Sequence, residues 1–297
     1  MILAIGGATA TGKSALAVEL AKRIGGEIVS ADSMQIYKGM DVGTAKVTEE
    51  EKGGVPHYMI DIVSPKEPYN VAMYVEDADK AIEEILSHGK TPILVGGTGL
   101  YIRSLLYNYS LGAYDEKLRA EITKEYEEKG ADALWNKLLA LDPLAAKKIH
   151  KNNVKRVIRA LEVITLTGKS IADVEETQNK RREHRLFCIE IDRETLYKRI
   201  NERVDRMFDR GLENEIDRLL ADGVDFSCQS MQAIGYKEFA AYKQGINTID
   251  EVKDAIKINS RHYAKRQETW FRSMDAEWLK MDDIKETAAK IEYIISK

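Results

Sequence analysis

A loop near the start of the chain carries residues suited to binding a phosphate chain. The segment from Gly7 to Ser14 reads Gly-Ala-Thr-Ala-Thr-Gly-Lys-Ser, which matches the pattern G-x-x-x-x-G-K-[ST]. Its glycines permit a tight turn with inward-pointing backbone N–H groups, Lys13 adds a mobile cation, and the Ser14 hydroxyl can hold Mg²⁺. An apolar run precedes the loop and a helical pattern follows it, so a simple glycine turn is the weaker alternative. We predict a P-loop that binds a di- or triphosphate through Gly7, Ala8, Thr9, Ala10, Thr11, Gly12, Lys13 and Ser14.

A carboxylate and a second glycine-rich turn follow two further predicted strands. Gly26–Ser30 precedes Asp32, and the apolar run Thr91–Gly96 precedes the turn that contains Thr98. Ligands of open α/β sheets bind beyond the carboxyl ends of the strands, so we expect Asp32 and Thr98 near the P-loop phosphates. An Asx turn or a helix N-cap is the structural alternative for Asp32, and it stays open.

The elements that must position these residues alternate between strands and helices. Residues 58–63 and 185–191 indicate further strands, 276–281 a late one, and helical spacing runs through 71–88, 194–209 and a long helix from 249. This predicts an α/β fold, P-loop NTPase-like and nucleotide-kinase-like, with a mostly parallel sheet flanked by helices. Strand signals vanish between 113 and 183, where helical segments are predicted at 115–128, 131–141, 143–149, 153–167 and 170–178. We therefore predict a core domain (1–112 and 184–297) with an all-helical insertion (113–183).

Composition narrows the classes of function. The 297 residues include only two cysteines, too few for a disulfide framework or a Cys-rich zinc site. No apolar stretch is long enough to span a bilayer and no signal peptide is evident, so we expect a cytoplasmic protein without a membrane partner. The net charge is −4, yet residues 145–185 hold eleven Lys or Arg against five Asp or Glu. Residues 257–272 hold five against one. Two basic segments in an acidic chain favour a polyanion groove, although solvated faces are the alternative.

An ordered set of motifs resembles the bacterial tRNA dimethylallyltransferases, also called isopentenyl-diphosphate:tRNA transferases. The likeness runs nearly end to end, with Ala8, Ser14 and Tyr58 as departures that leave the chemistry intact. Besides the P-loop, its marks are the segments 32–37 (Asp-Ser-Met-Gln-Ile-Tyr), 43–46 (Gly-Thr-Ala-Lys), 96–101 (Gly-Gly-Thr-Gly-Leu-Tyr), 156–162 (Arg-Val-Ile-Arg-Ala-Leu-Glu), 232–236 (Gln-Ala-Ile-Gly-Tyr) and 265–272 (Lys-Arg-Gln-Glu-Thr-Trp-Phe-Arg).

The resemblance implies transfer of a dimethylallyl group from dimethylallyl diphosphate to N6 of the adenosine 3′ of the anticodon in tRNA. Asp32 is then the candidate base, and the P-loop with Lys13 and Mg²⁺ on Ser14 neutralises the leaving diphosphate. Thr98 positions the flipped base or the donor, and Arg203 is a candidate diphosphate clamp. By the same resemblance, contacts with the anticodon stem-loop fall on Asp32, Ser33, Met34, Gln35, Thr98, Arg119, Lys155, Arg156, Val157, Ile158, Arg159, Gln232, Ala233, Ile234, Gly235, Tyr236, Lys237, Lys265, Arg266, Gln267, Glu268, Thr269, Trp270, Phe271 and Arg272.

Three other functions share parts of this pattern. An ATP-dependent small-molecule kinase has the same loop and Mg²⁺, and ATP is an alternative ligand of the P-loop. A prenyltransferase acting on free adenine nucleotides needs no basic helix at 257–272. A nucleotide switch is the third, although no N-K-x-D signature for guanine is present. A monomer is the default expectation for the oligomeric state.

Overall fold

The chain divides into two compact units. The structure, a computed structural model, describes residues 1–108, 113–173 and 179–297. The larger unit comprises Met1–Tyr107 and Lys180–Lys297, and the smaller comprises Asn108–Asn179. These boundaries lie a few residues from the predicted ones at 112/113 and 183/184. A role of the smaller unit in RNA binding stays a prediction.

Strands and helices are numbered along the chain. The strands are β1 (Ile2–Gly7), β2 (Gly26–Ser30), β3 (His57–Tyr58), β4 (Thr91–Gly96), β5 (His184–Glu190) and β6 (Glu277–Lys280). The helices are α1 (Lys13–Ile24), α2 (Glu49–Lys52), α3 (Val71–Ser87), α4 (Gly99–Leu106), α5 (Glu116–Leu141), α6 (Pro143–Lys148), α7 (Val154–Thr167), α8 (Arg193–Asp209), α9 (Leu212–Ala221), α10 (Phe239–Lys243), α11 (Ile249–Phe271) and α12 (Ile284–Ile295). Helices α5, α6 and α7 belong to the smaller unit.

The strands of the larger unit form one sheet in the order β3-β2-β4-β1-β5-β6, and all of its pairings are parallel. Alternate side chains of β1 enter two cores: Leu3 and Ile5 pack with α1 and α12, whereas Ile2 and Ala4 face the core that includes α3, α4 and α11. Burial on both faces explains the near-continuous apolar strands. The predicted parallel α/β sheet flanked by helices is confirmed.

The strand predicted at 58–63 is wrong for most of its length. Only His57 and Tyr58 pair with β2. Met59 and Asp61 then take left-handed backbone conformations, with φ of 64° and 57°, which no strand accommodates. The chain turns there, and the N–H of Ile62 donates to the carbonyl of Ile36.

The smaller unit is helical and has its own apolar core, which contains Ile122, Leu138 and Leu161. Gly130, with φ 81° and ψ 175°, divides α5 into two helices, as the predicted segments 115–128 and 131–141 require. Of the helix predicted at 170–178, Ile171–Asp173 is a short 3-10 helix, and 174–178 lie outside the described residues.

Candidate active site

The P-loop connects β1 to α1 at the carboxyl edge of the sheet. Gly12 has φ 91° immediately before the helix, a conformation that favours glycine. Within the loop, the Thr11 hydroxyl and Lys13 Nζ both donate to the carbonyl of Ala8, at 2.9 and 3.0 Å. The side chains of Thr11 and Lys13 therefore fold back onto the Ala8 carbonyl, and Lys13 does so from the first position of α1.

Two side chains from distant helices hold the loop at Thr9. Gln267 of α11 accepts from the Thr9 N–H at 2.8 Å and donates to the carbonyl of Gly97 at 2.9 Å. Arg203 of α8 donates to the Thr9 hydroxyl at 2.9 Å and to the carbonyl of Thr44 at 3.0 Å. One buried amide thus joins both glycine-rich loops, and one guanidinium joins the P-loop to the segment around Thr44.

Asp32 begins the turn that follows β2. Its Oδ1 accepts from the N–H groups of Met34 (2.9 Å) and Gln35 (3.3 Å), so the expected Asx-type turn is present. Among the described residues, the hydrogen bonds to this carboxylate use Oδ1 alone. The structural and catalytic interpretations are therefore compatible, because Oδ2 remains as a proton acceptor.

Thr98 supports the same turn from the second glycine-rich loop. Its hydroxyl accepts from the Ser33 N–H at 3.0 Å, and its own N–H donates to the carbonyl of Ala31 at 3.1 Å. Thr98 therefore brackets Asp32 on both sides along the chain. This placement favours a positioning role for Thr98 over direct chemistry.

The P-loop, Asp32 and Arg203 border a cavity of about 350 Å³ in the larger unit. Lys13, Ser14, Asp32 and Arg203 line it together with apolar side chains such as Met207. A second cavity of about 720 Å³ is also lined by Lys13, Ser14 and Arg203. Lys13 therefore borders both cavities, whereas Asp32 borders the first.

Burial dominates the electrostatics of the site. Burial and then the neighbouring charge of Arg203 lower the pKa of Lys13 to about 8, while Asp32 acts in the opposite direction. Burial likewise lowers the pKa of Arg203, again partly offset by Asp32. Two desolvated cations beside a single carboxylate form a site that an anion would stabilise strongly.

The metal-binding capacity of the cavity is limited to a few oxygens. Among the described residues, no group of three or more His, Cys, Asp or Glu side chains could hold a metal ion by itself. Mg²⁺ usually binds through one or two protein oxygens and completes its shell with water and substrate phosphates. Ser14 lines the cavity and offers such an oxygen, so the residues fit Mg²⁺ held jointly with a diphosphate.

The predicted RNA-binding residues of the larger unit fall into three groups, apart from Thr98, which supports the turn after Asp32. One group lines the cavity: Asp32, Ser33, Met34, Gln35, Gln232, Ala233, Ile234, Lys237, Arg266 and Gln267. In a second group, Lys265 and Thr269 are exposed on α11, Arg272 is exposed just beyond its end, and Glu268 and Trp270 are half-buried. The side chains of Tyr236 and Phe271 are fully buried, and Gly235 is buried beside them. Because solvent does not reach these two side chains, packing is the role that the structure shows for Tyr236 and Phe271, and their contact with RNA stays a prediction.

The predicted RNA-binding residues of the smaller unit lie on α5 and α7. Lys155 and Arg156 are exposed, whereas Val157 packs in the core of this unit, and its contact with RNA stays a prediction. Arg119 and Arg159 both donate to the buried carboxylate of Glu162, at 2.7 and 2.5 Å. Arg159 therefore forms a local ion pair with Glu162, three residues further along α7. Ile158 is half-buried beside the same core.

Sequence reasoning missed Tyr263, which lines the cavity from α11. Burial and then the charge of Asp32 raise the pKa of its phenol to about 12, so the group stays protonated. Its only signal in the sequence was its place among interleaved basic and aromatic residues, which did not distinguish it from its neighbours. His57 of β3 lines the same cavity and was not predicted either.

Comparison with known proteins identifies the family. A family model described as IPP transferase matches residues 35–274, and one described as isopentenyl transferase matches residues 1–64. The chain belongs to the IPP transferase family. A tRNA dimethylallyltransferase of Acetivibrio thermocellus is 52% identical over 288 residues, which cover 95% of this chain and 92% of that relative. The resemblance noted from the motifs is confirmed.

Solved structures of IPP transferase relatives share the fold. A crystal structure of a tRNA delta(2)-isopentenylpyrophosphate transferase from Staphylococcus epidermidis has a TM-score of 0.74 at 43% identity, covering 99% of this chain and 98% of that one. A structure described as a eukaryotic dimethylallyltransferase acting on tRNA has a TM-score of 0.82 at 30% identity, covering 99% and 77%. The P-loop-like core of this family member is thus common to relatives of quite different sequence.

Proposed function

We propose that this member of the IPP transferase family transfers a dimethylallyl group from dimethylallyl diphosphate to N6 of the adenosine 3′ of the anticodon in tRNA. The observation that carries the proposal is the cavity in which Lys13, Arg203 and Asp32 meet. The two cations suit a leaving diphosphate, and the carboxylate suits an amine that must lose a proton. Family membership supplies the acceptor, because its relatives are named as tRNA enzymes.

The P-loop side of the site binds the donor. Its backbone N–H groups, Lys13 and Arg203 take up the charge that develops on the diphosphate as the C1–O bond breaks. Bound Mg²⁺ on Ser14 would neutralise part of the same charge. The apolar lining beside Arg203, including Val204 and Met207, gives the five-carbon chain a surface that excludes water.

Asp32 acts on the acceptor. An aromatic exocyclic amine is a poor nucleophile, so its proton must leave as the C–N bond forms. Asp32 accepts that proton through the oxygen not used in its turn, and Thr98 keeps the turn in place. The adenosine must leave the base stack to reach the cavity, which an anticodon loop permits at modest cost. Tyr263 and Arg266 line the cavity as groups that can contact the extruded base.

A single assay separates this function from its alternatives. Purified protein is incubated with labelled dimethylallyl diphosphate, Mg²⁺ and unmodified anticodon stem-loop RNA, with AMP and ATP as parallel acceptors. We expect label in RNA, and nuclease digestion followed by mass spectrometry should give adenosine heavier by one dimethylallyl group. Label in AMP alone would assign the reaction to free nucleotides. ATP-dependent phosphorylation of a small molecule without RNA labelling would show that the protein is a kinase.

A further inference from the structure

A buried carboxylate outside the cavity holds one of its walls. Glu215 of α9 is 4% exposed and accepts hydrogen bonds from three consecutive backbone N–H groups. Oε2 accepts from Asp41 and Val42, both at 2.8 Å, and Oε1 accepts from Gly43 at 3.1 Å. The hydroxyl of Tyr236 donates to Oε1 at 2.6 Å. Four donors directed at one buried carboxylate fix the segment 41–43 against α9.

The segment 41–46, here called the 41–46 loop, has a shape set by its own bonds. The N–H of Lys46 donates to the carbonyl of Asp41 at 2.9 Å, and the N–H of Ala45 donates to that of Val42 at 3.0 Å. Lys46 Nζ also donates to Asp41 and Asp61, at 2.7 and 2.5 Å. Bonds to Asp61 and Tyr37 hold the Lys46 end of the loop, and Glu215 holds its Asp41–Gly43 end against α9.

Close packing explains why the loop and Glu215 meet where they do. A Cβ added at Gly43 would lie 2.5 Å from the ring of Tyr236, so only glycine allows this approach. The motif 43–46, which the sequence singled out without a function, and the motif 232–236, which was predicted to contact RNA, therefore meet at Glu215. Burial and the Glu215 charge raise the pKa of Tyr236 well above its usual value, so Tyr236 stays a donor.

Residues of the 41–46 loop line both cavities, and one carbonyl of the loop contacts Arg203. The Thr44 carbonyl accepts from Arg203 Nη2 at 3.0 Å, while Nη1 of the same guanidinium donates to the Thr9 hydroxyl of the P-loop. Helices α8 and α9 follow each other in the chain and hold the same loop. Glu215 of α9 accepts from the N–H groups of the loop, and Arg203 of α8 donates to one of its carbonyls. A shift of the loop would therefore turn the Arg203 guanidinium relative to the P-loop.

We propose that Glu215 is a positioning residue for the diphosphate site, which fixes the 41–46 loop so that the Thr44 carbonyl orients Arg203 toward the P-loop. This inference rests on the proposed function, in which Arg203 binds the diphosphate of the donor. It assigns no contact between Glu215 and substrate: the carboxylate acts through the loop and Arg203 alone. Its effect must therefore disappear when Arg203 is absent.

A double-mutant cycle tests that dependence. Inorganic pyrophosphate binding in the presence of Mg²⁺ is measured by calorimetry for the wild type, Glu215→Gln, Arg203→Ala and the double variant. Glutamine replaces one acceptor oxygen by a donor, so at least one buried N–H loses its partner. We expect Glu215→Gln to weaken binding about fivefold with Arg203 present and less than about twofold in the Arg203→Ala background. Equal losses in both backgrounds would overturn the inference.

Further variants separate positioning from loss of stability. Tyr236→Phe removes one bond to Glu215 and should show a smaller effect that also vanishes without Arg203. Glu213→Gln, on the same helix and paired with Lys243 instead, is the matched control and should leave affinity unchanged.

In the transferase assay, Glu215→Gln should raise the KM for the donor and leave the KM for RNA unchanged. A rise in both would contradict the inference. A wild type that binds no pyrophosphate would instead overturn the proposed donor site itself.

Discussion

At the residue scale, the site combines two desolvated cations with one carboxylate for which we propose two tasks. Oδ1 of Asp32 closes a turn, and Oδ2 is left for chemistry. Lys13 is folded onto the carbonyl of Ala8 and has a lowered pKa of about 8. Both residues are thus held in place before any ligand arrives, and their chemistry can be tested separately.

Substitution of Asp32 distinguishes its two tasks. Asparagine keeps the oxygen that accepts from Met34 and Gln35 but is not a base. We expect Asp32→Asn to lower kcat by about 10²- to 10⁴-fold while RNA affinity changes by only a few-fold. Single-turnover kinetics and equilibrium RNA binding measure the two effects. Asp32→Ala should lower kcat similarly and also loosen the turn. If Asn retained wild-type kcat, Asp32 would be a turn residue only.

The lowered pKa of Lys13 predicts pH-dependent anion binding. Below pH 8 the amine is protonated with or without ligand, so the titration of Lys13 causes no change of affinity with pH in that range. A bound diphosphate raises the pKa, so above pH 8 binding must take up a proton and affinity falls by up to about tenfold per pH unit. Calorimetry of pyrophosphate in buffers of different ionisation enthalpy measures the uptake.

The matched variant for that experiment is Lys13→Arg, whose charge does not titrate in the same range. Ionisation of pyrophosphate itself is common to both proteins, so the difference between them reports Lys13. Proton uptake that is identical in the two proteins would show that Lys13 does not meet the diphosphate.

At the scale of elements, sequence patterns predicted most strands and helices, because the apolar runs of buried strands and the helical spacing of apolar residues were both clear. Buried parallel strands such as β1 and β4 are continuous apolar runs, and their loops carry the glycines of the site. The strand at 58–63 failed because Met59 and Asp61 adopt left-handed conformations that only tertiary contacts select. Arg203, Asp32 and the P-loop were predicted, but their link through Thr44 and Glu215 was not. Hydrogen bonds across such sequence separations leave no periodic signal.

Glu162 shows how a helix pair in the smaller unit is held. Burial alone would raise its pKa, but hydrogen bonds from Arg159, the Asp115 N–H and Arg119 outweigh burial and hold the pKa below its usual value. The associated stability is present above the unfolded pKa and is lost as pH falls through the folded one. We expect Glu162→Gln to lower the free energy of unfolding by about 1–3 kcal/mol at neutral pH. Urea unfolding at neutral pH and at pH 4 measures this, and the difference from wild type should shrink at the lower pH. A loss of equal size at both pH values would contradict the ionic origin.

Two arginines on α7 should behave differently in RNA binding. Arg156 is exposed, whereas Arg159 is tied to Glu162. We expect Arg156→Ala to weaken RNA binding and reduce the slope of log affinity against log salt by about one. Arg159→Ala should mainly destabilise the unit. Filter-binding titrations across salt concentrations measure the slope. An unaltered slope for Arg156→Ala would make this face a solvated surface.

At the scale of the whole molecule, the proposed chemistry lies in the P-loop core of the larger unit, while the basic segments are divided between the units. Residues 145–185 fall mainly in the smaller unit and 257–272 on α11 of the larger one. No helix among the described residues has the length and apolar character needed to cross a bilayer. The proposed function accounts for basic segments in an acidic chain, because the acceptor is a polyanion.

The most direct test of this account is a crystal structure with a non-hydrolysable thiolodiphosphate analogue of the donor and anticodon stem-loop RNA. We predict the diphosphate on the P-loop N–H groups, within hydrogen-bond distance of Lys13 and Arg203, and the extruded adenosine with N6 facing Asp32 Oδ2. A diphosphate bound elsewhere, or an adenosine amine directed away from Asp32, would contradict the account.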